Sequence, residues 1–135
     1  MDQPTPPTPY ELVGGEPVVR RITERFYDAM EQREPALTAT HRLTPDGRIH
    51  PDVRAHFGLF LLGWLGGPQT YTATRGHPRL RMRHAHVPID SAMRDAWLRC
   101  MTAALDAEGI SDPVRAFLDQ RFAEVADFLR NTPDG

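Results

Sequence analysis

From Glu16 onward, apolar residues return every three or four positions. Val19, Ile22, Phe26 and Met30 share one face of one helix. A second stripe, Val53, Phe57, Phe60, Leu61 and Trp64, follows Pro51 and is stopped by Gly66-Gly67-Pro68. A third carries Met93, Trp97, Met101 and Ala104, with Asp90 or Ser91 as its cap and Gly109 as its end. The fourth, capped by Ser111, turns Val114, Phe117, Leu118, Val125 and Phe128 inward until Thr132-Pro133. Two short helical pieces lie between these, one opened by Pro35 and one running from His77 to about His84, cut off before Pro88. Residues 69–76 read as an irregular link. TPDG at 44–47 reads as a turn, because proline presets its own angle and glycine accepts positive φ. No run alternates as a strand does, so the expected fold is all-α.

Composition narrows the picture only slightly. With 135 residues the chain is expected to form one domain. Four prolines crowd residues 1–9, which read as a disordered tail before a domain at 10–135. A net charge of −2 gives no electrostatic reason to expect nucleic acid. The single cysteine, Cys100, excludes an internal disulfide. No apolar run is long enough to span a membrane, and the first residues lack the pattern of a signal peptide. The expectation is a cytoplasmic protein with neither membrane nor nucleic-acid partners.

Candidate chemistry begins with polar aromatics on apolar faces. Tyr27 and Trp97 sit on or beside the buried stripes, and a buried phenol or indole needs a partner, which a cofactor or a water supplies. Three histidines crowd GHPRLRMRHAH: His77, His84 and His86. On a helix His84 and His86 project about 200° apart and cannot grip one zinc ion. His77 reads as a structural residue at a helix start and His86 as solvent-facing. His84 lies one turn after Leu80, so the two share a face. On the residues alone, a ligand to a flat cofactor and a core histidine both remain open. Met82 and Cys100 read as packing residues.

Longer strings decide between them. GWLGGPQTY at 63–71, RGHPRLRMRHAHVPI at 75–89 and RDAWLRCM at 94–101 closely resemble the group II truncated haemoglobins of bacteria, over the chain from about Tyr10 onward. The resemblance implies a two-over-two helical sandwich around haem b, with His84 as the proximal iron ligand; the shared helix face then sets Leu80 to lie under the ring. It makes Trp97 and Tyr27, the latter in RFYDAM, distal donors. His41, in TATHRLTP, stands where many relatives carry a second tyrosine. Val53 and Phe57 are implied over the distal face, with no distal glutamine or histidine from that helix. Haem propionates need cations: Arg83 is the implied partner, joined by Tyr71 from the PQTY phrase. The paired glycines Gly14-Gly15 and Gly66-Gly67 match those that let the family's helices turn sharply.

The function implied is binding of O2, CO and NO at a five-coordinate iron in a polar distal pocket. Nitric oxide dioxygenase-like or peroxidase-like turnover would need an unidentified electron donor. Oxygen carriage or storage, a gas sensor acting through a partner, and a cofactor-free helical binding protein stand as alternatives. The chain is expected as a monomer or homodimer.

Overall fold

The computed structural model describes residues 5–134. Thr8 starts the first helix: its Oγ1 accepts from Glu11 N–H at 3.2 Å, and Pro9 opens α1 (Pro9–Val13). The boundary expected after residue 9 therefore falls inside α1, and residues 1–4 of the expected tail lie outside the described residues.

The first apolar stripe becomes α2 (Glu16–Arg33), in which Val19, Ile22, Phe26, Tyr27 and Met30 are all buried. Pro35 opens the four-residue α3 (Pro35–Thr38). The TPDG turn forms with Gly47 at φ 83°, and Leu43 pairs with Ile49 across it, burying Ile49. Helix α4 (Pro51–Trp64) is capped by His50, whose Nδ1 accepts from Asp52 N–H at 3.0 Å.

Beyond α4 the glycine pair is required by close approach. Gly66 holds φ 99° against Thr8, and a Cβ on Gly67 would enter the ring of Tyr10. Tyr10 N–H donates to Leu65 O at 2.9 Å, which seats α1 over this corner.

Residues expected to be an irregular link contain a helix instead, α5 (Thr70–Arg75), held by Tyr71 buried against Phe60. The next helix is shorter than its pattern suggested. Residue His77 accepts from Arg79 N–H at 3.1 Å and Arg79 adopts φ 47°, so α6 (Leu80–His84) begins three residues late. Helix α7 (Ser91–Ala107) has the expected cap, Asp90 Oδ1 accepting from Met93 N–H at 2.9 Å. Ser111 does not cap α8 (Val114–Phe128); Pro113 precedes it, and Asp112 Oδ1 takes Ala116 N–H at 3.1 Å.

Helices α2 and α4 pack as one pair and α7 and α8 as another, joined by a broad α2–α7 contact. Phe26, Met30, Leu61, Met101, Leu105 and Leu118 fill the seam. Phe117 and Phe128, expected inward, are half exposed on the outer face of α8, and Met82 is 61% exposed rather than packed. Periodicity finds the apolar stripe but not how far neighbours cover it. Among the described residues no helix is long and apolar enough to cross a membrane.

Candidate functional site

A cavity of about 480 Å³ opens where α2, α4, α7 and α8 meet the α5–α6 segment, a size typical of cofactor sites. All nine residues singled out from the sequence line it: Tyr27, His41, Val53, Phe57, Tyr71, Leu80, Arg83, His84 and Trp97. His77 does not.

One wall is aromatic. Phe57 sits among Tyr27, Phe60 and Trp97, with ring centroids 5.8, 6.2 and 6.3 Å away. His41 meets Tyr27 edge-on at 5.9 Å. His41, just past α3, thus stands at the cavity. Among the described residues, neither the Tyr27 hydroxyl nor the Trp97 indole N–H donates to a protein acceptor, so both remain available to a guest. Burial pushes the Tyr27 hydroxyl far above the ordinary phenol value, against a smaller lowering by Arg54, so it stays a donor.

The two histidines present opposite faces of one chemistry. The nitrogen Nδ1 of His84 lies 2.7 Å from Leu80 O, and Nδ1 of His41 lies 2.9 Å from Leu37 O. A carbonyl only accepts, so each Nδ1 carries the proton in this arrangement and each neutral ring keeps a lone pair on Nε2. Burial, and to a lesser degree the nearby His84, holds His41 below the ordinary imidazole value, although its bond to Leu37 opposes this.

His84 is fixed from behind by a residue the sequence reading passed over. Asn131, just past α8, donates through Nδ2 to His84 O at 3.2 Å and Val87 O at 2.9 Å, while its Oδ1 accepts from Ile89 N–H at 2.8 Å. A polar amide directly after a helix end was the available signal.

Charge at the cavity is one-sided. Arg42, Arg75, Arg83 and Arg94 line it and no Asp or Glu does. Arg94 is neutralised by Asp127 at 2.7 Å and Arg42 faces Asp52 at 3.5 Å, whereas Arg75 bonds to His56 at 3.1 Å and Arg83 to Pro78 O at 2.7 Å. A histidine of α4, His56, also lines the cavity, and its tie to the exposed Arg75 puts it at the rim. An apolar cavity with two arginines that lack carboxylate partners among the described residues fits a flat hydrophobic group that carries acidic edges. Cys100 is buried away from this lining, its thiol pushed up to about 11 by burial. A second cleft, about 550 Å³, lies between α2, the 44–49 turn and α4, but its arginines already have carboxylate partners: Arg20 has Glu16, Arg48 has Glu31, and Arg54 has Glu24, Asp28 and Glu31.

A family model described as Bacterial-like globin matches residues 8–131. The chain is 35% identical over 127 residues to the Group 2 truncated hemoglobin YjbI of Bacillus subtilis, covering 91% of this chain and 88% of that one. Among solved structures, the group II truncated hemoglobin of Bacillus anthracis superposes with a TM-score of 0.86 at 32% identity, covering 98% and 97% of the two chains. The hemoglobin of Chloroflexus aurantiacus gives 0.83 at 40% identity, covering 93% and 99%.

Proposed function

Because the chain belongs to the bacterial-like globin family, among the group II truncated haemoglobins, we propose that its cavity holds haem b on His84. Haem binding and uptake of gaseous ligands come with the family, as does the two-over-two sandwich of α2 and α4 with α7 and α8. The roles of individual residues are the proposal. When bound, haem supplies an iron centre that takes O2, CO or NO and changes oxidation state.

The observation that carries this reading is the 2.7 Å bond from His84 Nδ1 to Leu80 O. It fixes the tautomer, orients the ring and leaves Nε2 as the metal-ready lone pair, the arrangement in which histidine ligands are usually held. Leu80, Val53 and Phe57 offer apolar contact to the ring faces. Arg83 and Arg75, with Tyr71 and His56 beside them, supply cations and donors for two propionates.

On the distal side Trp97 and Tyr27 act as donors to negative charge on a ligand. Charge-assisted hydrogen bonds are worth about 1.5–3 kcal/mol each. Two of them give about 3–6 kcal/mol, slowing release by roughly 10² to 10⁴ at 1.4 kcal/mol per tenfold. Such retention suits redox use of O2, toward nitric oxide or peroxide, better than delivery. Replacing Trp97 by Phe keeps the ring and removes the N–H. O2 release should accelerate at least about tenfold, about 1.4 kcal/mol, with CO release changed much less. Equal effects on the two gases in flash photolysis and stopped flow would mean that the ring acts sterically.

His41 works differently from the two donors. With Nδ1 engaged by Leu37, its neutral ring offers the cavity only an acceptor; protonation turns Nε2 into a donor. Since its value is depressed below 6.5, ligand release should be flat above that pH and slow only on the acid side. His41→Phe should flatten the profile throughout. An inflection above pH 6.5 that survives His41→Phe would assign the effect to another group.

A further inference from the structure

All sixteen basic side chains are arginines. Among the described residues, eleven of them lie within ion-pair distance of a carboxylate, for example Arg99 with Glu34 and Arg115 with Asp119. Of the remaining five, four fall in one short stretch: Arg75, Arg79, Arg81 and Arg83. The sequence enforces this, because residues 53–89 contain no Asp or Glu. All four are exposed. Arg75 and Arg83 line the cavity and match the two propionates of the reading above; Arg79 and Arg81 do not line it and are left over.

The surplus is held in place. Arg81 Nε donates to Phe128 O at 3.2 Å and its guanidinium stacks 4.2 Å from the Phe128 ring centroid. Arg79 keeps φ 47°, a backbone conformation costly for a side chain that is not glycine. Met82, 61% exposed, and Phe128, 52% exposed, add apolar area to the same face. The exposed His77 and His86 border it. A chain of net charge −2 thus presents one cationic face with an apolar centre, beside the mouth of the haem cavity.

We propose that this α5–α6 face docks a small acidic one-electron carrier protein that reduces the haem. The proposal rests on the haem reading. One electron passes from the reduced carrier to ferric haem, giving ferrous haem and carrier oxidised by one electron; no atom is transferred. Charge complementarity identifies the partner, because two arginines left without carboxylate or propionate partners, Arg79 and Arg81, beside an apolar centre steer an acidic surface, and weak electron-transfer encounters use small interfaces. A long polyanion is the poorer match, since the rest of the chain is net acidic and repels it.

The test uses ferric holoprotein and a small acidic [2Fe–2S] ferredoxin as probe. Binding of the oxidised ferredoxin is measured by calorimetry at low and high salt, and reduction by the reduced ferredoxin is followed by stopped flow. Neutral photoreduced lumiflavin serves as a reductant that needs no docking. Arg79→Glu with Arg81→Glu should weaken binding and slow the second-order reduction at least tenfold each, and flatten their salt dependence. The lumiflavin rate, Soret band and haem content should stay unchanged. Arg79→Glu alone repeats the test without disturbing the Arg81–Phe128 contact. Unchanged binding in that single variant, absence of salt dependence, or tighter binding to anionic phosphatidylglycerol vesicles or duplex oligonucleotide through the same residues overturns the proposal. A wild-type protein without a Soret band, seen before any mixing, would instead fell the haem reading.

Discussion

Replacing His84 by glycine should leave a protein that loses haem on gel filtration or keeps it only when imidazole is added. The substitution removes the one cavity-lining imidazole whose Nδ1 is tied to its own helix, at Leu80 O, and whose carbonyl is gripped by Asn131. Added imidazole replaces the lost ligand atom without repairing the chain, so recovery of the Soret band separates ligand loss from unfolding. His86→Ala should leave the spectrum as it was, since His86 is an exposed residue at the rim. His41→Phe should also retain haem while altering ligand kinetics. Haem released only by His86→Ala would show that the wrong histidine has been assigned.

The second large effect is on stability and lies behind the aromatic wall of the cavity. Arg54 is buried on α4, with Nη1 at 2.8 Å from Glu24 Oε2 and 3.0 Å from Asp28 Oδ1. Its Nη2 lies 2.9 Å from Glu31 Oε2, close enough to pair electrostatically though not aligned as a hydrogen bond. The guanidinium also covers the Tyr27 ring at 5.6 Å. Removing one partner from a buried ion pair costs about 3–5 kcal/mol because the other charge is left dry. Glu24 and Asp28 are half exposed and rehydrate, while Glu31 is not. Arg54→Ala should therefore cost about 3 kcal/mol, the lower end of that range, or roughly 10 °C in Tm.

By contrast Arg121→Ala, which breaks an exposed pair with Glu124, should cost under about 1 kcal/mol. Urea unfolding of the haem-loaded variants checks both, and equal losses would remove the special role of Arg54. The same cluster sets an acid limit. Burial alone would raise the Glu31 carboxyl, but Ile49 N–H and Arg54 outweigh it and hold it below 4.5. Its contribution is present at neutral pH and is lost as the pH falls below that value.

The four long helices were legible because each buries a stripe wide enough to show a period of 3.6 in the sequence. Helices α1 and α5 were not, since five or six residues hold their shape through tertiary contacts: Tyr10 against Gly67, Tyr71 against Phe60. Phe117 and Phe128 look like core residues in sequence because their spacing is right, yet both stay half exposed, Phe128 under the Arg81 guanidinium rather than against an apolar neighbour element. Arg54 was invisible for the opposite reason. A charged residue in an apolar helix reads as surface until three carboxylates from a neighbouring helix are seen to meet it.

Around the cavity, residue types alone left His84 undecided between ligand and core. The resemblance chose it, and the geometry added what neither could give: the tautomers of His84 and His41, the Asn131 clamp, and an arginine rim without acids. The rim was hidden because the significant fact, the missing carboxylates between Asp52 and Asp90, is an absence spread over a long segment.

The most direct test of the account is the absorption spectrum of the purified protein reduced anaerobically, before and after admission of CO. A five-coordinate ferrous haem with a single broad visible band, converting fully to a CO-bound form, is the predicted result. A colourless protein that takes up no added haem would contradict the cavity's assignment, and a six-coordinate low-spin ferrous spectrum would contradict the open distal side.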